Sequence, residues 1–133
     1  LDELSTTANN EIWQVSGGEV SSAELNPVKL GLKRAETAEL IGGDAAFNAQ
    51  VARDLFARET SGNLGAVRDI VLLNAAGGVV SYQMAKDPSK ADVDLATRFS
   101  DALQLVSVAL DSGAAELKLA EWITATKNTG QNA

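Results

Sequence analysis

Apolar and polar residues alternate on both sides of a Gly-Gly pair near the start of the chain. The segments EIWQV and EVSSAEL flank Gly17-Gly18, and two glycines readily adopt the positive φ angles of a tight hairpin turn. Ile, Val and Trp in these segments are good strand formers. The pattern predicts a β-hairpin over residues 11–25, in which we expect Trp13 to pack on the core.

After residue 43 the apolar spacing changes to every three or four residues, which is typical of helices that bury one face. A brief helix is predicted before this, at residues 36–40. Four longer helices follow. The first covers residues 44–57 with Asp44 as N-cap, and the second covers residues 66–85. The third contains an apolar stripe from Leu95 to Leu110 and has Asp92 as N-cap, and the fourth follows Ser112-Gly113 with Leu119, Trp122 and Ile123 on its apolar side.

One hairpin and four helices make an unbalanced α+β fold. A two-stranded ribbon is not stable by itself, so the hairpin must pack on the helices or belong to a larger sheet. We therefore expect an α+β fragment of an α/β domain: a β-hairpin plus about four helices, mostly helical.

The composition limits the possible chemistry. The 133 residues include no Cys and no His, which excludes thiolate and imidazole metal sites and a Ser-His triad, so any metal must be a hard cation held by oxygen. The formal net charge is −7, and the acidic and basic residues are interspersed along the chain, which disfavours nucleic-acid binding. The longest apolar run, IVLLNAAGGVV, is broken by Asn and Gly, and we expect it to be too short to cross a bilayer.

Two adjacent carboxylates, Asp2 and Glu3, are followed by three hydroxyl residues at positions 5–7. Taken alone, an acidic pair is usually a solvated surface or the first turn of a helix. The hydroxyl groups of Ser5, Thr6 and Thr7 can bind a phosphate or be satisfied locally, and the second interpretation is favoured.

Polar and small residues interrupt the apolar face of the second long helix. Asn74 is expected to hydrogen-bond across the core, and Arg68-Asp69 to form a structural ion pair. Gly77-Gly78 is expected to permit close packing against a neighbouring backbone.

Six segments, taken in order, resemble the C-terminal part of the anthranilate phosphoribosyltransferases, a group within glycosyl transferase family 3 with a nucleoside phosphorylase-like fold. These segments are LDELSTT, VSGGEV, NPVKLGL, GGDAAFNA, RDIVLLNAA and ALDSGAAELKLAEWI, and their spacing agrees over roughly residues 1–125. The resemblance implies that residues 1–133 are the C-terminal portion of the catalytic α/β domain. The family's N-terminal helical domain and glycine-rich phosphate loop are then absent from this chain.

This resemblance implies a magnesium-dependent cytoplasmic enzyme of tryptophan biosynthesis. It would transfer phosphoribosyl from 5-phosphoribosyl-1-pyrophosphate to anthranilate, with Asp2 and Glu3 as the acidic pair that binds Mg²⁺. No covalent catalytic residue is expected in this chain, and its substrate-binding residues are not assigned. The intact enzyme would be a homodimer, whereas the 133-residue chain alone would be inactive and would self-associate through exposed apolar surface and strand edges.

The chain departs from the family pattern after the hydroxyls, where Ala8-Asn9-Asn10 replaces the usual Gly. Asn tolerates left-handed backbone angles, so the turn can be retained. Two alternatives stay open: a stand-alone helical interaction module with a solvated acidic start, and a nucleoside phosphorylase-type domain with another substrate.

Overall fold

The computed structural model describes residues 3–129. Its strands are β1 (Asn10–Ser16) and β2 (Glu19–Leu25), and its helices are α1 (Ala45–Phe56), α2 (Leu64–Lys86), α3 (Leu95–Asp111) and α4 (Ala114–Thr129). Short 3₁₀ helices occupy Pro27–Leu30, Thr37–Leu40 and Pro88–Asp92. The expected hairpin with four helices is confirmed, and the described part of the chain is mostly helical.

The hairpin presents only one of its two faces to the helices. The strands are antiparallel around Gly17-Gly18, whose φ angles of 60° and 84° suit the tight turn. Ile12 and Leu25 contact the core from the inner face. The prediction that Trp13 packs on the core is wrong: it lies on the outer face opposite Ser22 and is 66% exposed. Because side chains alternate along a strand, Ile12 and Trp13 cannot both face the helices.

The core lies mainly between α2 and α3, and α1 adds little to it. Phe47, in the first turn of α1, is exposed, and Leu55 is the buried residue of that helix. The buried apolar cluster consists of Leu25, Leu55, Leu72, Leu73, Ala76, Val80, Phe99, Ala102, Leu103 and Leu110.

Side-chain caps fix two of the helix starts. Asp44 caps α1 as expected, since its Oδ1 accepts a hydrogen bond from the Phe47 N–H at 2.8 Å. The prediction of Asp92 as the α3 cap is wrong. Asp92 ends a 3₁₀ helix, and Asp94 accepts the bond from the Thr97 N–H at 3.1 Å.

Helix α2 is longer and more continuous than its sequence suggests. An 18-residue stretch of this 23-residue helix has a mean hydropathy of 1.4. By length and composition the helix could cross a bilayer, although the apolar run within it was expected to be too short. One such helix is weak support for a membrane span, because core helices pass the same test. Here Leu73 and Ala76 are fully buried, whereas only 22% of the apolar stretch is buried in all.

Polar contacts of α2 connect it to two other segments. Arg68 does not pair with Asp69, as had been expected, because adjacent helical residues point in different directions. Its Nη2 instead meets Asp111 Oδ2 at 2.9 Å, at the end of α3. Asp69 accepts a hydrogen bond from the Lys33 N–H at 2.9 Å.

Helix α4 covers little of the molecule. Trp122 and Ile123, predicted on its apolar side, are 67% and 44% exposed. Leu117 on the same helix is also exposed. The apolar surface of α4 is therefore not covered by the described part of the chain.

Candidate functional site

The segment before β1 crosses α2, and Asn74 holds it there. Asn74 Oδ1 accepts from the Leu4 N–H at 3.1 Å, and Asn74 Nδ2 donates to the Leu4 carbonyl at 2.8 Å. The same amide also donates to the Ile70 carbonyl at 2.9 Å, which fixes its orientation. The expectation that Asn74 bonds across the core is confirmed, and its partner is the backbone of the acidic segment.

Gly77 lies almost one turn after Asn74 and gives room to the Leu4 side chain. A Cβ atom at this position would lie 3.0 Å from Leu4 Cδ1. Gly78, by contrast, has nothing within 4 Å of the equivalent position. Close packing at Gly77 is therefore real, but it is against a side chain and not a backbone, and it does not extend to Gly78.

The side chain of Asn10 hydrogen-bonds both backbone groups of Ser5, as the side chain of Asn74 does with those of Leu4. Asn10 Oδ1 accepts from the Ser5 N–H at 2.6 Å, and Asn10 Nδ2 donates to the Ser5 carbonyl at 2.9 Å. The loop does not need a left-handed Asn, because Arg58 is the one non-glycine residue with positive φ among those described. Side-chain hydrogen bonds of Asn10 thus fix the turn at Ala8-Asn9-Asn10.

Two of the three hydroxyl groups after the acidic pair are hydrogen-bonded locally, and within the described part of the chain the third is not. Ser5 Oγ and Thr7 Oγ1 are 2.8 Å apart, and Ser5 Oγ accepts from the Thr7 N–H at 3.0 Å. For these two the local interpretation is confirmed. Thr6 is fully buried, its carbonyl accepts from the Ala35 N–H at 3.3 Å, and its Oγ1 has no partner within the described residues.

An open recess of about 580 Å³ lies beside this segment. Glu3, Glu11 and Asn74 are among its lining residues. At its rim, Arg34 Nη2 donates to Asn9 Oδ1 at 2.9 Å. The Glu3 side chain is exposed and forms no ion pair within residues 3–127. Asp2, its predicted companion, lies outside the described residues.

The donors around the recess suit a hard cation. They are the carboxylate oxygens of Glu3 and Glu11, since the amide and hydroxyl oxygens beside them are engaged in the hydrogen bonds above. The whole chain contains no Cys or His that would favour a softer metal. No group of three or more acidic residues that could hold a metal occurs in the part of the chain that the structure describes. Oxygen ligands of this kind are the type that Mg²⁺ takes, commonly one or two carboxylates together with phosphate oxygens.

The sequence interpretation did not assign a role to Asn10 or Arg34. Asn10 carries a recognisable signal, since Asn near the start of a strand often bonds a nearby backbone. The contact between Arg34 and Asn9 spans 25 residues and depends on the connector's path, for which the sequence offers no periodic signal.

Comparisons with a protein family and with individual proteins both point to the same family. Residues 1–116 match the family described as "Glycosyl transferase family, a/b domain". The chain is similar to the anthranilate phosphoribosyltransferase of Leifsonia xyli subsp. xyli, with 47% identity over 127 residues, covering 96% of this chain and 35% of that protein. Proteins of the same name from Nocardioides sp. (44%; 95% and 34%) and Mycobacterium leprae (42%; 92% and 31%) also match. The chain thus spans about a third of the length of these relatives.

Proposed function

This chain belongs to the glycosyl transferase family, as a member of its α/β domain, and on that premise we propose that it forms the C-terminal portion of the catalytic domain of an anthranilate phosphoribosyltransferase. The main support is the similarity to relatives of that name along almost the whole chain. The intact protein would transfer phosphoribosyl from 5-phosphoribosyl-1-pyrophosphate to anthranilate, in the cytoplasmic synthesis of tryptophan.

In this proposal Asp2 and Glu3 hold Mg²⁺ together with the pyrophosphate of the substrate. When bound, Mg²⁺ neutralises charge on the departing pyrophosphate. Glu3 suits this role because its carboxylate is exposed beside the recess and is not engaged in an ion pair there. The fixed position of Leu4, held by Asn74, limits how far Glu3 can move.

Beyond charge neutralisation, the reaction requires the two substrates to be held in the correct orientation. The anthranilate amine attacks carbon 1 of the ribose as the bond to pyrophosphate breaks, and aligning the two substrates supplies much of the catalysis. No covalent nucleophile is required, so a chain without Cys or His is compatible with it. Because the chain spans about a third of the length of its relatives, we propose that the 133-residue chain alone is inactive.

The experiment uses the protein with its upstream region, extended to the length of its relatives. Anthranilate consumption is followed with 5-phosphoribosyl-1-pyrophosphate over a range of Mg²⁺ concentrations. Asp2→Asn with Glu3→Gln should lower kcat/KM by at least about a hundredfold. Glu59→Gln, an exposed acid in the loop after α1, is the matched control and should retain activity.

Other results would separate the alternatives. If the activity of the double variant stays within about twofold of that of the unmodified enzyme, the metal role is rejected. Loss of the electrostatic stabilisation that a bound metal gives should lower the activity far more than about twofold. Phosphoribosyl or ribosyl transfer to another acceptor, but not to anthranilate, would favour a nucleoside phosphorylase-type domain. No Mg²⁺-dependent pyrophosphate binding by the extended protein would favour an interaction module.

A further inference from the structure

A second cavity, of about 390 Å³, lies between the hairpin and helices α2 and α3. This volume is within the range of small-molecule sites. Its walls are mainly apolar, with contributions from Ile12, Val80 and Phe99. Gln14, Ser81 and Arg98 add polar groups. None of these residues lines the recess beside Glu3.

Arg98 is the unusual member of this lining, because it is buried and has no acidic partner. Arg98 is only 7% exposed. Nη2 donates to Gln14 Oε1 at 2.7 Å and Nη1 lies 2.8 Å from Met84 Sδ, while Nε has no partner among the described residues. Within residues 3–127, no carboxylate forms an ion pair with Arg98.

This arrangement leaves a positive charge poorly compensated. A guanidinium has five N–H donors and stays charged, and a thioether is a weak acceptor. Burying such a charge is costly unless it is paired and hydrogen-bonded. One neutral amide from Gln14 ties the hairpin to α3 but does not balance the charge. An anion beside the guanidinium would balance this charge.

We propose that this cavity binds the carboxylate of an organic acid that has a small apolar body. The carboxylate would accept charge-assisted hydrogen bonds from Arg98, whose planar fork matches two carboxylate oxygens. The apolar body would contact the walls formed by Ile12, Val80 and Phe99. A phosphate fits less well, because it brings more charge and more acceptors than one guanidinium and these walls can satisfy.

Such a carboxylate could be supplied by either of two sources, which the experiment below distinguishes. One is a free small molecule. The other is an acidic side chain from the polypeptide that the longer relatives have and this chain lacks, since the chain spans about a third of their length. Both give the same chemistry at Arg98, and the experiment distinguishes them.

The test titrates the 133-residue chain with butyrate and with butyramide, its neutral analogue. The ¹H–¹⁵N signal of the Arg98 Nε–H is observed by NMR. The side-chain amide signals of Gln14, which lies on the inner face of the hairpin and lines the cavity, are followed in the same spectra. We expect a saturable response to butyrate and at least about tenfold weaker binding of butyramide. This comparison uses an intact cavity and does not depend on an arginine variant folding.

Variants then assign the effect to Arg98. Arg98→Gln should lose butyrate binding, and Arg98→Lys should weaken it because the fork is lost. Arg53→Gln, on the exposed side of α1, is the matched control and should bind normally. Equal binding of butyrate and butyramide, tighter binding of inorganic phosphate than of butyrate, or unchanged binding by Arg98→Gln would each overturn the proposal.

The protein extended to the length of its relatives identifies the source. If butyrate still binds, the carboxylate is that of a free acid. If butyrate no longer binds and the Arg98 Nε–H already has the shifted position without ligand, the carboxylate belongs to the protein. An extended protein that shows neither response would overturn the proposal.

Discussion

Asn74 and Leu4 are 70 positions apart, and the side-chain amide of Asn74 bonds both backbone groups of Leu4. Asn74 thereby acts like one residue of a neighbouring strand for a segment that has no strand partner. Because Leu4 directly follows Glu3, this contact links the central helix α2 to the carboxylate that we propose as a metal ligand. Stability and function should therefore be coupled at this point.

Asn74→Ala should destabilise the chain, because it leaves the part-buried N–H and C=O of Leu4 without these partners. We expect a loss of about 1–3 kcal/mol in the free energy of unfolding, measured in urea. Hydrogen exchange at the Leu4 amide should become faster. Asn63→Ala is the control, since Asn63 caps α2 without a side-chain hydrogen bond. Equal effects of the two substitutions would contradict the role given to Asn74.

Gly77→Ala and Gly78→Ala should differ, although the two glycines are neighbours in one helix. Each change gains roughly 1 kcal/mol of helix propensity. At Gly78 the new methyl meets nothing, so the gain should appear in full. At Gly77 it lies 3.0 Å from Leu4 Cδ1, whose backbone is fixed by Asn74, so the gain should be reduced or reversed.

A double-mutant cycle isolates the contact at Gly77. Urea unfolding of Gly77→Ala is compared in the Leu4 and Leu4→Ala backgrounds. Removing the Leu4 side chain should restore most of the propensity gain, so the two changes should be non-additive. Additive effects would show that Leu4 is not what restricts position 77.

Local patterns were sufficient to predict the two strands and the four α-helices, whereas contacts between distant segments were not predictable. Alternation identified the hairpin but not which face is buried, because Ile12 and Trp13 are both strong strand formers. Asp94 follows Asp92 by two residues, and both are good caps, so only the extent of the preceding 3₁₀ helix decides between them.

The partners of charged and polar groups depended on tertiary packing. Arg68 meets Asp111 across two helices, and no local spacing predicts that pair. The role of Asn74 was correctly placed inside the molecule, but its partner Leu4 follows only from the path of the N-terminal segment. The sequence did not predict that Arg98 is buried beside a cavity, because an Arg in an amphipathic helix is usually solvent-exposed.

Thr6→Val should stabilise the chain. The Thr6 side chain is fully buried, and its hydroxyl has no partner within the described residues, whereas Val has nearly the same shape without the polar group. We expect a gain of about 1 kcal/mol in urea unfolding. Thr7→Val is the matched control and should give no gain, because it removes a hydroxyl bonded to Ser5. A clear loss of stability in Thr6→Val would mean that the hydroxyl is bonded in solution.

Asp87 makes the turn between α2 and α3 sensitive to acid. Hydrogen bonds from the Ser89 hydroxyl and the Ser89 N–H, with a smaller contribution from the Lys90 charge, lower the pKa of Asp87. Since the pKa is lower in the folded state, the stabilisation is present above the unfolded pKa and is lost as the pH falls through the folded pKa.

Ser89→Ala should therefore reduce the melting temperature at neutral pH, and the difference from the unmodified chain should shrink in acid. Thermal unfolding is followed by circular dichroism across the acid range. Ser100→Ala, at an exposed position of α3, is the control, and its effect should not change with pH. A Ser89→Ala effect that is constant with pH would contradict the link to Asp87.

The outer face of the hairpin should drive self-association of the 133-residue chain. Trp13, Val15 and Val20 are 66%, 70% and 62% exposed, and Val15 and Val20 are directly paired across the strands. Contiguous apolar surface of this kind favours association, as do the free edges of a two-stranded ribbon. We expect the weight-average mass in sedimentation to rise with concentration, despite the net charge of −7.

Val15→Lys with Val20→Glu should shift the chain to the monomer. The new charges are directly opposite each other and attract, so the hairpin keeps a favourable cross-strand pair while its apolar surface is removed. Trp122→Lys is the comparison on α4, whose tryptophan is equally exposed at 67%. A mass lowered by Trp122→Lys but not by the hairpin variant would locate the contact on α4. An unmodified chain that stays monomeric at every concentration would contradict association through either surface.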